Sequence, residues 1–223
     1  EMEKVLGKFV WIPGGSFQMG SPVDEVNRRN DEKQHLVTLS NFEIAETVVT
    51  QETYVKIMKV NPSFFKTYNY CGHNFKTLLI SGELPISMCP DYPVEAVSWY
   101  MAQNFIEIIN QKFKETGYQF SLATEAMLEY AYRGKTTTAY FSGDTQAGID
   151  RYLWYKGNSD DRIHSVWSKR ANSFGIYRSG VWEWVSDWYG EYVVEDALNP
   201  SGPSTTGVER VIRGGSYFQP ADQ

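Results

Sequence analysis

A tryptophan-rich run near the end of the chain constrains its fold more than any other feature. The run extends from Trp182 to Gly190 and holds three tryptophans within seven residues. A second run, from Arg210 to Ser216, follows about twenty residues later and ends in Gly-Gly-Ser. Alternation in 181–188 predicts a strand that carries its tryptophans on one side, packed into the core because buried aromatic rings dominate core energetics. These residues are Trp182, Trp184 and Trp188.

The composition predicts a loop-rich globular protein. The chain has 223 residues, 15% of them aromatic, with 18 glycines and 9 prolines spread without a period. This pattern is typical of an irregular α+β fold, and no linker or repeat divides the chain, so we expect a single domain over 1–223. A net charge of −6 with singly scattered basic residues argues against a nucleic-acid partner. No apolar run is long enough to predict a membrane span.

Capping residues predict three helices. Thr50, Ser98 and Thr124 each precede a stretch with one apolar helical face, and their side-chain oxygens suit an N-cap. The third helix should cover 125–133 and stop at Gly134, because glycine accepts the left-handed conformation that ends a helix.

Alternating apolar residues predict strands in the first fifth of the chain. Residues 9–20 indicate two strands around the turn Pro13-Gly14-Gly15, and 37–44 indicate a second strand pair around Ser40-Asn41.

Segment 64–92 has no clear periodicity and is predicted to be a long, irregular surface insertion. It contains both cysteines of the chain, Cys71 and Cys89. A disulfide and two free thiols are both open from the sequence, and we expect the free thiols. A zinc site on these two cysteines is not expected, because structural zinc takes four ligands.

Nine motifs together resemble the family of formylglycine-generating enzymes, or sulfatase-modifying factors. They run in order through nearly the whole chain: 11–20, 42–50, 61–63, 92–99, 122–126, 129–134, 171–177, 182–190 and 210–216. The resemblance implies a C-type-lectin-like fold of the formylglycine-generating-enzyme subtype, irregular, with two main helices and small antiparallel sheets. It implies either a copper-dependent oxidase that acts on sulfatase cysteines, or a relative that keeps the scaffold for other oxidations or for binding.

The residues that would hold copper depart from the family pattern. In the oxidases two cysteines follow the Arg-Gly-Gly-Ser stretch and hold Cu(I), which prefers soft thiolates. Alignment on Arg213 to Ser216 puts Gln219 at the first of these positions, and the second falls at or just beyond Gln223. The turn before Trp182 also lacks an asparagine that metal-binding members share. We therefore expect no enzyme activity, no cofactor and no metal.

The residues after Ser216 are the candidate ligand-binding site: Tyr217, Phe218, Gln219, Asp222 and Gln223. Aromatic and adaptable polar side chains are typical of binding loops. Some non-catalytic relatives are variable proteins of diversity-generating retroelements, in which this segment is mutagenised, and treponeme surface examples are similar to this chain.

The resemblance therefore predicts a monomeric display protein that binds a protein or a small molecule through its C-terminal face. Its expected location is extracytoplasmic, as a cell-surface lipoprotein. The alternatives are a copper-dependent formylglycine-generating oxidase and a structural subunit of a surface complex.

Overall fold

The computed structural model describes residues 1–25, 28–82, 84–143, 148–192, 195, 197–203 and 207–221. Its regular elements are short and are separated by long irregular stretches. The helices are α1 (Met2–Leu6), α2 (Gln51–Met58), α3 (Tyr68–Cys71), α4 (Trp99–Lys112) and α5 (Glu125–Arg133). The strands are β1 (Phe9–Ile12), β2 (Gly15–Met19), β3 (His35–Leu39), β4 (Phe42–Ala45), β5 (Lys76–Leu78), β6 (Ile86–Met88), β7 (Glu183–Trp188), β8 (Ala197–Leu198) and β9 (Arg210–Arg213).

The three predicted helices are confirmed as α2, α4 and α5. The side chain of the predicted N-cap residue accepts a backbone hydrogen bond in each of them. Helix α5 ends where expected, with Gly134 in the left-handed region at φ 53°. Helix α4 ends at Lys112, slightly before the predicted end near Lys114, because the chain turns there into a short 3₁₀ segment. Among the described residues, every helix is too short or too polar to cross a bilayer.

The predicted N-terminal strands are confirmed, but their expected pairing is wrong. Strand β1 pairs with β4 and β2 pairs with β3, both antiparallel, so neither turn closes a hairpin. The two turns instead lie against each other. The Gly14 N–H donates to Asn41 Oδ1 at 2.8 Å, and a Cβ at Gly14 would lie only 2.4 Å from the Leu39 carbonyl oxygen. Glycine is required there because the two backbones approach so closely.

The other sheets are small. Strand β8 adds to β3 in parallel, while β5 with β6 and β7 with β9 form two-stranded antiparallel pairs. The core is divided among three clusters of buried side chains. The first joins the sheets to α5 and includes Ile12, Val37, Leu128 and Val185; the second lies between α2 and α4 and includes Tyr54 and Phe105; the third contains Phe65, Cys89, Tyr92 and Ile163.

The predicted placement of the tryptophans in the core is wrong. On β7 the buried residues are Val185 and Asp187, and the tryptophans lie on the opposite, partly exposed side. Trp184 donates its indole N–H to the Val97 carbonyl at 2.8 Å, and Trp188 stacks on the Arg210 guanidinium at 3.4 Å. An indole has an N–H that must find an acceptor when it leaves water, so the half-buried side suits tryptophan better than the core does.

The insertion 64–92 is more ordered than expected. It contains α3 and the β5–β6 pair, and its base is buried in the third cluster. The expected free thiols are wrong as well, because Cys71 and Cys89 form a disulfide with a Cα–Cα distance of 5.8 Å. Packing in the third cluster brings the two ends of the segment together, which sequence spacing could not show.

Candidate functional site

The segment after Ser216 is held to the rest of the protein through its backbone. The Tyr217 N–H donates to the Gly180 carbonyl at 2.8 Å, and Ser159 Oγ donates to the Tyr217 carbonyl at 2.7 Å. The Lys156 N–H donates to the Gln219 carbonyl at 2.9 Å. None of these three bonds uses a side chain of the segment.

The segment after Ser216, which we call the tail, contacts the insertion 64–92 through aromatic rings. The Tyr217 ring lies edge-on to Phe65 at 5.6 Å and to Phe218 at 5.2 Å. Tyr70 and Phe64 continue the surface on the insertion side, each about 5 Å from Phe65 between ring centroids. Phe218 is 51% exposed and Phe64 is 67% exposed. We call Phe64, Phe65, Tyr70, Tyr217 and Phe218 the aromatic face.

The remaining predicted site residues are only partly placed. Gln219 is half-buried, and among the described residues its Oε1 atom is buried without a hydrogen-bond partner. Asp222 and Gln223 lie outside the described residues.

The side chain at the first of the two copper positions does not suit Cu(I). The position of the first copper cysteine holds the Gln219 amide, and both cysteines of the 223-residue sequence are used by the disulfide. Cu(I) requires soft sulfur ligands, which these residues do not supply. Within the described ranges, no three His, Cys, Asp or Glu side chains are grouped so that they could hold a metal ion.

A groove of about 1050 Å³ opens where the three hydrophobic clusters meet, and we call it the central groove. Ser216, Tyr217 and Phe218 line it together with Trp182 and Phe65. The aromatic face therefore continues into a cavity of the size that small organic ligands occupy.

Among the carboxyl groups that line this groove, that of Glu183 has a strongly shifted pKa. Glu183 at the start of β7 lines the groove, and the Tyr132 hydroxyl from α5 donates to Glu183 Oε1. Burial raises the pKa of Glu183 to about 7, although the hydrogen bond from Tyr132 and the charge of Arg178 oppose the rise. Arg178 lies over the Tyr132 ring at 4.7 Å and donates to the Gly214 carbonyl at 2.7 Å. The sequence gives only one signal for this carboxyl group, an acidic residue between two tryptophans.

A partly buried group of charges holds β9 to α5. Arg213 Nε lies 2.8 Å from Glu125 Oε1, and its guanidinium also donates to Glu129 Oε2 at 3.1 Å. Burial raises the pKa of Glu125, against the opposite effect of Arg213. Glu125 thus holds the strand to α5.

The chain is similar to known proteins over nearly its whole length. The sequence profile of the family described as "Sulfatase-modifying factor enzyme 1-like domain" matches residues 1–223. The formylglycine-generating enzyme of Streptomyces coelicolor is 28% identical, over 94% of this chain and 78% of its own length. Treponema denticola variable protein 1 superposes with a TM-score of 0.76 at 27% identity, covering 96% of this chain and 85% of that one.

A protein that is named as a kinase is also similar to this chain, over most of this chain's length. The serine/threonine-protein kinase pkn1 of Chlamydia caviae is 28% identical over 96% of this chain. The chain spans only 34% of that relative, about a third of its length. Together the matches confirm the predicted α+β fold of small sheets and few helices.

Proposed function

The chain belongs to the family of sulfatase-modifying factor enzyme 1-like domains, and we propose that it uses this scaffold to bind a ligand and not to oxidise one. The observation that carries the proposal is the absence of a thiol at the first copper position. Gln219 occupies the first copper position, and Cys71 and Cys89 are bonded to each other. The similarity to a treponeme variable protein supports the same conclusion.

In this proposal the segment after Ser216 is the variable binding face, formed by Tyr217, Phe218, Gln219, Asp222 and Gln223. The backbone bonds to Gly180, Ser159 and Lys156 support this role. A display surface needs a fixed main chain and exchangeable side chains, because a preorganised backbone reduces the entropy lost on binding. We further propose that residues 1–223 form one domain of a monomeric, extracytoplasmic protein, which is carried at the cell surface as a lipoprotein.

Copper titration tests the loss of oxidase function. The purified protein is titrated with Cu(I) in the presence of a cysteine-containing peptide, and bound copper and oxygen uptake are measured. We expect no stoichiometric copper binding and no oxygen uptake. Conversion of the peptide cysteine to an aldehyde would overturn the proposal in favour of the copper-dependent oxidase.

Exchange of single side chains tests the backbone anchoring. We expect Phe218→Ser to change the free energy of unfolding by less than about 0.5 kcal/mol, since this ring is half exposed. Ser159→Ala should cost about 1–2 kcal/mol, because it leaves the Tyr217 carbonyl without its partner. Urea denaturation measures both variants, and a larger loss for Phe218→Ser than for Ser159→Ala would contradict the anchoring.

Sequences of sibling genes test the variable character. If the face is diversified, changes should concentrate after Ser216 and fall in adenine-derived codons. Changes spread evenly along the chain would instead favour a fixed structural subunit of a surface complex.

A further inference from the structure

Among the described residues, every charged side chain that lines the central groove is acidic. Its lining includes the carboxylic acids Glu43, Glu95 and Glu183, and no lysine, arginine or histidine is found among the described residues that line it. The rest of the lining is mostly apolar and aromatic. An aromatic ring presents a negative face to a cation, so the rings and the carboxylates favour the same kind of ligand.

Glu183 is the group best placed to fix such a ligand. Its Oε1 atom accepts from Tyr132, while among the described residues no hydrogen bond reaches its Oε2 atom. Arg178 is the nearby cation, but its guanidinium already donates to the Gly214 carbonyl, and Arg178 does not line the groove. A carboxylate among apolar walls interacts strongly with a cation, because little water screens the pair.

We propose that the central groove binds a small apolar organic cation, an alkyl- or arylammonium, with its ammonium group at Glu183 and its apolar part among the aromatic rings. This inference rests on the proposed binding function, because Tyr217 and Phe218 line the groove. A volume of about 1050 Å³ fits a small molecule, and the few polar groups of the lining are typical of small-ligand sites.

The test compares two ligands of the same shape, phenethylammonium and 2-phenylethanol, by isothermal titration calorimetry at low salt and about pH 8. We expect the ammonium to bind at least about tenfold more tightly, as a charge-assisted contact in an apolar site should allow. Glu183→Gln should remove this difference and leave binding of the alcohol unchanged. Glu107→Gln is the matched control, since Glu107 is exposed on α4 outside the groove and its substitution should keep the difference.

The pH dependence of the wild-type protein gives a second arm that needs no variant. The charged and titratable groups that act on Glu183 are Tyr132 from α5 and Arg178 from the stretch before β7. With a pKa of about 7, the Glu183 carboxyl should ionise between about pH 6 and about pH 8, and the affinity for phenethylammonium should rise by up to about tenfold. The affinity for 2-phenylethanol should not rise.

Equal affinity for the two ligands, or no binding of either, would overturn the inference. So would an ammonium affinity that Glu183→Gln leaves intact. If the variant does not fold, the pH arm decides. These outcomes are separate from the failure of the proposed function, which shows as copper-dependent oxidation of a peptide.

Discussion

At the scale of single residues, Glu183 has the most unusual environment of the candidate site. Its carboxyl group lies in an apolar groove and accepts a hydrogen bond from Tyr132, and burial raises its pKa to about 7. An unfolded chain would return this group to its ordinary value of 4.5. Ionisation of Glu183 in the folded protein therefore lowers the free energy of unfolding.

This difference predicts how stability depends on pH. Because the folded pKa lies above the unfolded one, the folded state binds the proton more tightly, and the free energy of unfolding falls as pH rises from about 4.5 to about 7. Glu183→Gln removes this part of the pH dependence. The variant should match the wild type near pH 4.5 and exceed it by up to about 3 kcal/mol near pH 8, since a pKa unit corresponds to about 1.4 kcal/mol.

Urea denaturation at both pH values measures the effect. Glu107→Gln, which changes an exposed carboxyl, should follow the wild type throughout. A constant offset between Glu183→Gln and the wild type at the two pH values would contradict the burial of an ionisable carboxyl.

At the scale of elements, the insertion 64–92 supports the tail. Its disulfide closes a sequence separation of 18 residues, and Cys89 is fully buried beside Phe65. Phe65 in turn contacts the Tyr217 ring. The aromatic face thus depends on a cross-link that restricts the unfolded chain more than it adds contacts to the folded one.

Removal of this cross-link should therefore lower stability. We expect Cys71→Ala combined with Cys89→Ala to cost about 3 kcal/mol, the amount that loop closure of this length predicts. Thermal melting with and without dithiothreitol measures the effect. The reductant should shift the wild type but leave the double variant unchanged, and a wild type insensitive to complete reduction would disprove the role of the disulfide.

The elements also show how far sequence reasoning reached. The helices were predictable because Thr50, Ser98 and Thr124 act locally through N-caps. Strand positions followed from the alternation of apolar residues. This alternation does not identify the strand that pairs with each one, so the pairing of β1 with β4 could not be predicted. The same limit applies to the site, where the tail was identified from the family pattern while its contact with Phe65 depends on tertiary packing.

At the scale of the whole protein, Arg213 joins parts that are distant in sequence. It binds Glu125 and Glu129 on α5, and Glu129 also accepts the Gly20 N–H at 3.0 Å and pairs with Arg133 at 2.8 Å. One network of charges therefore connects β9, α5 and the loop after β2. Such a network holds as a unit, because removal of one member leaves its partners unpaired away from water.

Arg213→Met should consequently lower the free energy of unfolding by about 3 kcal/mol, because Glu125 would lose the cation that it pairs with and Glu129 would retain only Arg133. Urea denaturation measures the loss. Arg29→Met is the matched control, since Arg29 forms an exposed ion pair with Asp31, and exposed pairs contribute less than about 1 kcal/mol. If the two substitutions cost the same, the network contributes no more than an exposed ion pair, and other contacts must hold β9 to α5.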